Sequence, residues 1–310
     1  MKIAKTGGIF IITLISICGA GFCELNAIPI GSMIGNLIAG ALIHPFFNSF
    51  VDLTDNENWE KSQRKLKRAG LLQKETIIRI SFAYLFRIKV DGKYFLVKNS
   101  RSGKYQPVGG AYKFYKEEAD YLRDNIPVEN DDRIPVDQIT KLDYRLLVKN
   151  KLLRKFIRRF NKTLYREQIT DLSREFVEEI FFTGILNKDT FGKLSYNYCG
   201  RHMTNVEFGN IFKIYELLLA DVVEVQLSHE QEELFRILMG KDSDEYQFVT
   251  ASEINALGVD YGTNNLADTI ANHTPKILSD NTEELINRNK YKKKIEIDSE
   301  NMYSKEQARS

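Results

Sequence analysis

The chain has 310 residues, 28% of them charged, and a formal net charge of +2 at pH 7. This length accommodates an anchoring segment with one sizeable domain, or two small domains. The near-neutral balance lacks the basic excess that general nucleic-acid binding needs, so DNA is not an expected partner. The cysteines are odd in number and scattered, which excludes a disulfide framework and a cysteine-based zinc site.

The first fifty residues are strongly apolar. No charged side chain occurs from Thr6 to Cys23, and His44 is the sole ionisable side chain from Leu25 to Val51. Because roughly 20 apolar residues cross a bilayer core, we predict two transmembrane α-helices within residues 1–50, arranged as a helical hairpin. A cleaved signal peptide is the main alternative for the first run.

The residues around and within these runs suggest an orientation and a packing face. Lysines precede the first run, a basic cluster follows the second, and the connector has no basic residue, so both termini are expected in the cytoplasm. Gly31, Gly35 and Ala39 recur at four-residue spacing in the second run. Small residues so placed let helices approach closely, which predicts packing between copies of the chain.

The remaining chain predicts an α/β (α+β) domain at 76–284, after a linker helix at 51–75. Apolar and polar residues alternate from Ile78 to Val90, which predicts a strand, and Asp91-Gly92 predicts a hairpin turn to a second strand. Residues 285–310 are polar and charged, which predicts a disordered tail.

Two further features are interpreted as structural. The basic amphipathic helix at Lys149–Lys162 favours packing of its apolar stripe on the core, with a dedicated anion-binding surface as the alternative. Four residues of the types used in catalysis or zinc binding have no partner at ligand spacing in the sequence. These residues are His202, His229, His273 and Cys199.

Two motifs carry the chemistry. Gly109 and Gly110 follow the predicted hairpin, and Arg174 opens a run of sequence Arg-Glu-Phe-Val-Glu-Glu. The carboxylates of that run share one face if the run is helical. Such like charges are most readily explained by a shared divalent cation such as Mg²⁺, and Arg174 can orient one of them. The carboxylates are Glu175, Glu178 and Glu179.

Together the two motifs resemble the box of the Nudix family. The glycine pair matches the opening of the box, and the Arg-Glu-Phe-Val-Glu-Glu run matches its second half. The resemblance implies ligand binding by Gly109, Gly110 and Arg174. It also implies that the three glutamates hold Mg²⁺.

This chain departs from the family pattern between the two motifs. An insertion at about 111–173 separates them, and the closing glycine is displaced to Gly184. The spacing for the first box glutamate falls on Arg166, with Glu167 one position away. The acidic residues of the helix match the family, whereas the loop before the helix does not. Hydrolytic activity is therefore left open, and a receptor role is favoured.

The wider architecture resembles the two-transmembrane Nudix effectors of CBASS, a class of bacterial anti-phage system, with a SMODS-associated Nudix domain. That resemblance implies a cyclic di- or oligonucleotide signal made by a CD-NTase. It further implies an inner-membrane, multi-pass protein that oligomerises on activation and disrupts the bilayer, causing abortive infection. A membrane-anchored, Mg²⁺-dependent hydrolase of nucleoside diphosphate compounds is the alternative, and a non-catalytic scaffold is a third hypothesis.

Overall fold

A computed structural model of the chain describes residues 2–26, 30–31, 33–42, 58–133, 141–259, 268–278, 285–286 and 290–304. The chain divides into two compact units, Met1–Ala69 and Gly70–Ser310. The first unit contains helix α1 (Lys2–Leu25), helical residues at 30–31 and 33–42, and helix α2 (Asn58–Arg68).

The N-terminal helices differ from the sequence-based prediction. Among the described residues, no helix combines the length and apolar character that crossing a membrane requires. The second run is described as helix only at 30–31 and 33–42, short of the roughly 20 residues that crossing a bilayer core requires. The predicted transmembrane hairpin and the multi-pass inner-membrane location with cytoplasmic termini are therefore wrong, whereas the bilayer as a partner stays a prediction. The remainder of the second run lies outside the described residues.

The small-residue face of the second run lies partly against α1. A Cβ atom added to Gly35 would lie 2.8 Å from the Cβ of Ala20 on α1. Ala20 and Ala39 are both buried. Glycine at 35 thus permits a close helix–helix approach within one chain. Packing between copies through Gly31, Gly35 and Ala39 stays a prediction.

The second unit is built on two β-sheets. Its strands in chain order are β1 (Ile77–Arg87), β2 (Lys89–Val90), β3 (Lys93–Lys98), β4 (Tyr105–Gln106), β5 (Gly109–Ala111), β6 (Val128–Asn130), β7 (Arg145–Lys149), β8 (Leu194–Met203), β9 (Glu207–Phe208), β10 (Tyr215–Val225), β11 (Tyr246–Val249) and β12 (Ile295–Ile297). The larger sheet has the order β12-β8-β10-β1-β7-β6, with β5 paired to β1 and β9 to β10. The smaller sheet has the order β11-β3-β2, with β4 paired to β3.

The predicted hairpin is confirmed, but the first strand is divided between the two sheets. Asp91 and Gly92 form the turn with φ of 48° and 81°, the left-handed conformations that this turn requires. Strand β1 ends at Arg87, and β2 pairs with β3 in the smaller sheet. The Ile88 carbonyl accepts from Phe95 N–H at 3.0 Å. One alternating run therefore crosses from one sheet to the other.

In the described part of the second unit, six helices flank these strands. They are α3 (Lys116–Asn125), α4 (Leu153–Lys162), α5 (Arg174–Phe176, continued by a π-helix at Val177–Phe181), α6 (Lys188–Phe191), α7 (His229–Met239) and α8 (Ala251–Asn255). The apolar stripe of the basic helix α4 is buried, and the Phe160 ring lies 4.7 Å from that of Phe82 on β1. The core-packing interpretation of this helix is confirmed.

The long insertion is an integral part of the larger sheet. Strand β7 pairs antiparallel with β1, so that Arg145 lies opposite Ser81. Within the insertion the Glu118 carboxylate is fully buried and accepts from the Arg159 guanidinium at 2.6 Å and the Thr163 hydroxyl at 2.6 Å. These bonds fix α3 to α4. Residues 134–140 of the insertion lie outside the described part.

The C-terminal stretch contains a strand where the sequence suggests a disordered tail. Strand β12 pairs antiparallel with β8, and its Ile297 side chain is buried. Further on, Met302 is also buried, and Tyr303 N–H donates to the Ser173 hydroxyl at 3.1 Å. Apolar residues spaced among the charges supply this pairing, which composition alone does not reveal. Residues 287–289 and 305–310 lie outside the described residues.

Candidate functional site

The glycine pair places strand β5 against the acidic motif. Gly109 has φ of 147°, and a Cβ there would lie 2.3 Å from the Tyr84 carbonyl oxygen. A Cβ on Gly110 would lie 2.0 Å from Oε1 of Glu175. At Gly109, only a residue without a side chain allows this conformation and this proximity to backbone, whereas at Gly110 the neighbouring atoms are the end of the flexible Glu175 side chain. The two glycines bring the backbone to the motif, although a direct ligand contact through them stays a prediction.

Arg174 lies at the centre of the motif's ion pairs. Its side chain is buried, and its Nη1 donates to Glu175 Oε1 at 2.7 Å and to Glu178 Oε2 at 3.2 Å. Its Nη2 donates to the Ala111 carbonyl at 2.8 Å. The guanidinium therefore orients two carboxylates of the motif and ties them to the end of β5.

Glu167 is a site residue that the spacing rule placed one position off. Its Oε1 accepts from Arg174 Nε at 2.7 Å, and its Oε2 accepts from Lys113 N–H at 2.8 Å. Glu167 thus supplies a carboxylate to Arg174 from before the motif, despite the altered spacing. Its position next to Arg166, where the family spacing falls, is the signal that could have identified it.

The motif helix changes its winding within the glutamates. Residues Val177–Phe181 form a π-helix, in which Phe182 N–H donates to the Val177 carbonyl at 2.9 Å. Such wide turns occur often at functional sites because they redirect side chains. Here Glu178 faces Arg174, whereas Glu179 Oε2 accepts from Gly109 N–H at 2.9 Å. The three predicted carboxylates therefore converge on the end of β5, with different partners.

Negative charge is concentrated at this motif. Burial, and then the neighbouring Glu175 carboxylate, raise the pKa of Glu179 well above its ordinary range. Burial also raises the pKa of Glu178, despite the nearby Arg174. Four carboxylates share the Arg174 guanidinium and its surroundings, and this excess of negative charge is what a cation or proton would relieve.

A divalent cation fits this motif in charge and donor type. Carboxylate oxygens are hard donors, the type that Mg²⁺ prefers. In the present side-chain arrangement several of these oxygens accept from Arg174 or Gly109, and no group of three His, Cys, Asp or Glu residues among those described forms a ready-made metal site. Glu175, Glu178 and Glu179 are the residues that would hold Mg²⁺, and they would do so in competition with Arg174.

The motif opens into a cavity of about 670 Å³. This volume lies within the range of small-molecule and cofactor sites. The acidic motif lines one part of it beside Gly109, which pairs with Leu85 on β1. Arg145, which pairs with Ser81, lines another part. Four residues of strand separate these positions, so the two parts lie roughly 13 Å apart along β1.

Basic side chains line the cavity away from the motif. Arg79 Nε contacts Asp131 at 2.5 Å, and Arg145 contacts Asp143 at 3.4 Å. Burial raises the pKa of Asp143 to about 6 despite its cationic neighbours. The cavity thus combines an acidic part with a cationic part, a combination suited to a ligand that carries both anionic and hydrogen-bond-donating groups. Apart from Arg174, the basic lining comprises Arg79, Arg101, Arg133, Arg145, His273 and Lys276.

The structure adds residues to the site that the motifs do not include. Arg145 and His273 both line the cavity. The sequence-based interpretation of His273 as structural is not tested by this position. The segment that carries His273 comes to the cavity from more than 90 residues after the motif, so spacing gives no sign of it.

Among comparisons with known proteins, one identifies a family for this chain. The family model of the SMODS-associated Nudix domain matches residues 77–278. No curated protein matches the chain. A solved structure described as a crystal structure of UDP-X diphosphatase is similar at 10% identity, covering 88% of this chain and 90% of that one, with a TM-score of 0.24. A likeness at that TM-score carries no conclusion.

The family match covers the part of the chain that builds the site. It begins at the first residue of β1, includes both motifs and the insertion between them, and ends after the segment that carries His273 and Lys276. The chain belongs to the SMODS-associated Nudix domain family.

Proposed function

We propose that this protein is the receptor component of a CBASS-type anti-phage system. Its Nudix domain binds a cyclic di- or oligonucleotide made by a CD-NTase, and the bound signal activates the protein. The family match supports the association with such systems, in which the nucleotide is the signal. The observation that carries the proposal is the cavity that joins the acidic motif to a cationic lining.

The cavity has the size and chemistry for such a ligand. At about 670 Å³ it can enclose much of a dinucleotide. Arginine and lysine side chains bind phosphodiester oxygens, and carboxylates accept hydrogen bonds from base N–H groups. A cyclic nucleotide presents both kinds of group. The proposal therefore uses each part of the cavity for a different part of the ligand.

Mg²⁺ has a place in this proposal beside the nucleotide. Bound to the oxygens of Glu175, Glu178 and Glu179, it would neutralise carboxylates that burial leaves short of counter-charge. The protein itself positions these carboxylates: Arg174 orients Glu175 and Glu178, and the glycine pair keeps β5 close to the motif.

A panel of candidate ligands tests the proposal with the full-length protein. Cyclic dinucleotides, cyclic trinucleotides and linear nucleoside diphosphate compounds are incubated with the protein and Mg²⁺. The protein is then separated from free ligand and denatured, and the released compound is chromatographed. We expect one cyclic nucleotide to be retained and released intact. Failure to retain any cyclic species would refute the proposal.

Hydrolysis of linear nucleoside diphosphate compounds is a second candidate function. It is favoured by the retained glutamates and by their unneutralised charge, which suits a catalytic cation. Glu178→Gln separates the two functions. A hydrolase should lose nearly all turnover in this variant, whereas a receptor should retain measurable binding. Glu233→Gln, on the exposed face of α7, is the matched control.

A further inference from the structure

Lys276 is a cation of the cavity lining for which the described residues supply no counter-ion. It lies on the 3₁₀-helix Thr274–Leu278 and is half-buried. Among the described residues no carboxylate contacts its amine, and burial lowers the pKa of Lys276 with no opposing contribution from an acidic neighbour. An amine in such surroundings is costly to keep charged, and an anion beside it removes that cost.

Two more basic groups lie near this amine. Lys276 N–H donates to the His273 carbonyl at 3.2 Å, so these two residues are one helical turn apart, and His273, Lys276 and Arg145 all line the cavity. Burial, followed by the positive charges of Lys276 and Arg145, lowers the pKa of His273 to about 4. At neutral pH the His273 ring is uncharged, so one of its nitrogens can donate a hydrogen bond without adding charge.

Asp143, the carboxylate that contacts Arg145, neutralises these basic side chains only in part. Asp143 lies 3.4 Å from Arg145, but it also contacts the Lys113 amine at 3.1 Å. The buried Asp143 carboxylate thus contacts two cations, whereas no described carboxylate contacts Lys276. By contrast, Arg79 has Asp131 at 2.5 Å and Glu216 at 3.5 Å. Among these cations, Lys276 is therefore the one for which the described residues provide no anion.

We infer that Lys276, Arg145 and His273 form a phosphate-binding subsite in the cavity, separate from the acidic motif. The inference rests on the proposed function and deepens it: the subsite takes a phosphodiester group of the nucleotide. Lys276 and Arg145 supply the positive charge, and His273 supplies a hydrogen bond. The remainder of the ligand then extends toward the acidic motif, whose carboxylates repel phosphate but accept base N–H groups.

Binding of inorganic phosphate to the full-length protein tests the subsite without knowledge of the nucleotide. Affinity is measured by ³¹P NMR titration in EDTA, so that no metal bound at the glutamates contributes. Four proteins are compared: wild type, Lys276→Met, Lys276→Arg and Lys162→Met. The last removes the same charge from an exposed position on α4. Thermal melting checks that each variant is folded.

The subsite predicts a specific pattern. Phosphate should bind wild type saturably, about tenfold more weakly to Lys276→Met, and nearly as well to Lys276→Arg and Lys162→Met. Because the Lys276 amine has no carboxylate partner among the described residues, the methionine variant should not melt earlier than wild type. Equal phosphate binding by wild type and Lys276→Met would overturn the inference, as would equal losses in Lys276→Met and Lys162→Met.

The outcome is independent of the nucleotide panel. If phosphate binds through Lys276 but no cyclic nucleotide is retained, the subsite stands and the receptor proposal fails. If a cyclic nucleotide is retained with equal affinity by wild type and Lys276→Met, the receptor proposal stands and the subsite is refuted.

Discussion

The acidic and basic parts of the cavity are built in different ways. The acidic motif comes from one short helix and the strand beside it, so that neighbours in sequence become neighbours in the site. The basic part is drawn from the insertion strand β7 and from the 3₁₀-helix near the end of the matched region. Several carboxylates surround one guanidinium in the acidic part, whereas the basic part holds Lys276, whose amine contacts no carboxylate among the described residues. The motif alone therefore accounts for only the acidic part of the site.

Loss of Arg174 should have the largest effect, because it would remove the counter-charge of the acidic part. Arg174→Ala leaves Glu167, Glu175 and Glu178 facing one another in a buried setting. Breaking a buried ion pair in this way costs about 3–5 kcal/mol. Urea denaturation of the full-length protein should show this loss of unfolding free energy.

Arg123 provides the control for that variant, because its side chain is exposed and its carboxylate partners are exposed too. Arg123→Ala should change the unfolding free energy by less than about 1 kcal/mol. Equal stability of Arg174→Ala and wild type would contradict the central place of the guanidinium.

Gly109→Ala should have the next largest effect. The new methyl group would meet the Tyr84 carbonyl oxygen in a backbone conformation that alanine disfavours. Backbone strain of this kind costs about 1–3 kcal/mol. In Gly110→Ala the new methyl group meets the end of the Glu175 side chain, which can move. Denaturation midpoints should therefore rank wild type first, Gly110→Ala second and Gly109→Ala last, and the opposite order of the two variants would refute this account of β5.

Two groups in and beside the basic part should give opposite pH dependences of stability. His273 titrates at about 4 when folded and near 6.5 when unfolded, so its contribution is lost as pH falls from 6.5 to 4. Asp143 titrates at about 6 when folded and near 3.8 when unfolded, so its contribution is lost as pH rises from 4 to 6. Each contribution is roughly 1–3 kcal/mol, and the two offset each other in the wild type.

Single variants should reveal these opposed contributions as changes relative to wild type. Between pH 4 and 6, His273→Gln should lose stability relative to wild type as pH rises, because the contribution of His273 no longer offsets that of Asp143. Asp143→Asn should gain stability relative to wild type as pH rises, because the contribution of Asp143 is removed. Denaturation of the three proteins at closely spaced pH values measures both differences. Differences that change with pH in the same direction in the two variants would refute one of these assignments.

The smallest effect expected is stabilisation by Mg²⁺. A cation held by the motif glutamates should raise the melting temperature of wild type, with a gain below about 2 kcal/mol at millimolar Mg²⁺. Glu178→Gln should lose most of that gain, and Glu233→Gln on α7 should keep it. Equal gains in all three proteins would place the Mg²⁺ elsewhere.

The local features of the fold could be predicted from the sequence, and the long-range ones could not. Alternating apolar and polar residues predicted β1, Asp91-Gly92 predicted the hairpin turn, and the acidic run predicted a helix. Each depends on neighbours in sequence. The division of one alternating run between two sheets, and the strand β12 within a charged stretch, depend on distant partners. The N-terminal segment was predicted from composition as a membrane hairpin, and that prediction was wrong.

The same distinction holds for the site. Gly109, Gly110 and Arg174 with its glutamates could be named from their motifs, and the structure brings them together. The partnership of Glu167 with Arg174 was missed by one residue, because the insertion changes the spacing. Lys276 and His273 carry no spacing signal, since the fold alone brings their segment to the cavity.

The fate of the bound nucleotide distinguishes a receptor from a hydrolase. The cyclic nucleotide retained from the panel is mixed in stoichiometric amount with full-length wild type or Glu178→Gln, in Mg²⁺, and is followed over time by chromatography and calorimetry. We expect it to stay bound and intact with wild type and still to bind Glu178→Gln. Its conversion to linear products by wild type, abolished in Glu178→Gln, would contradict the receptor account and make this Nudix domain a hydrolase.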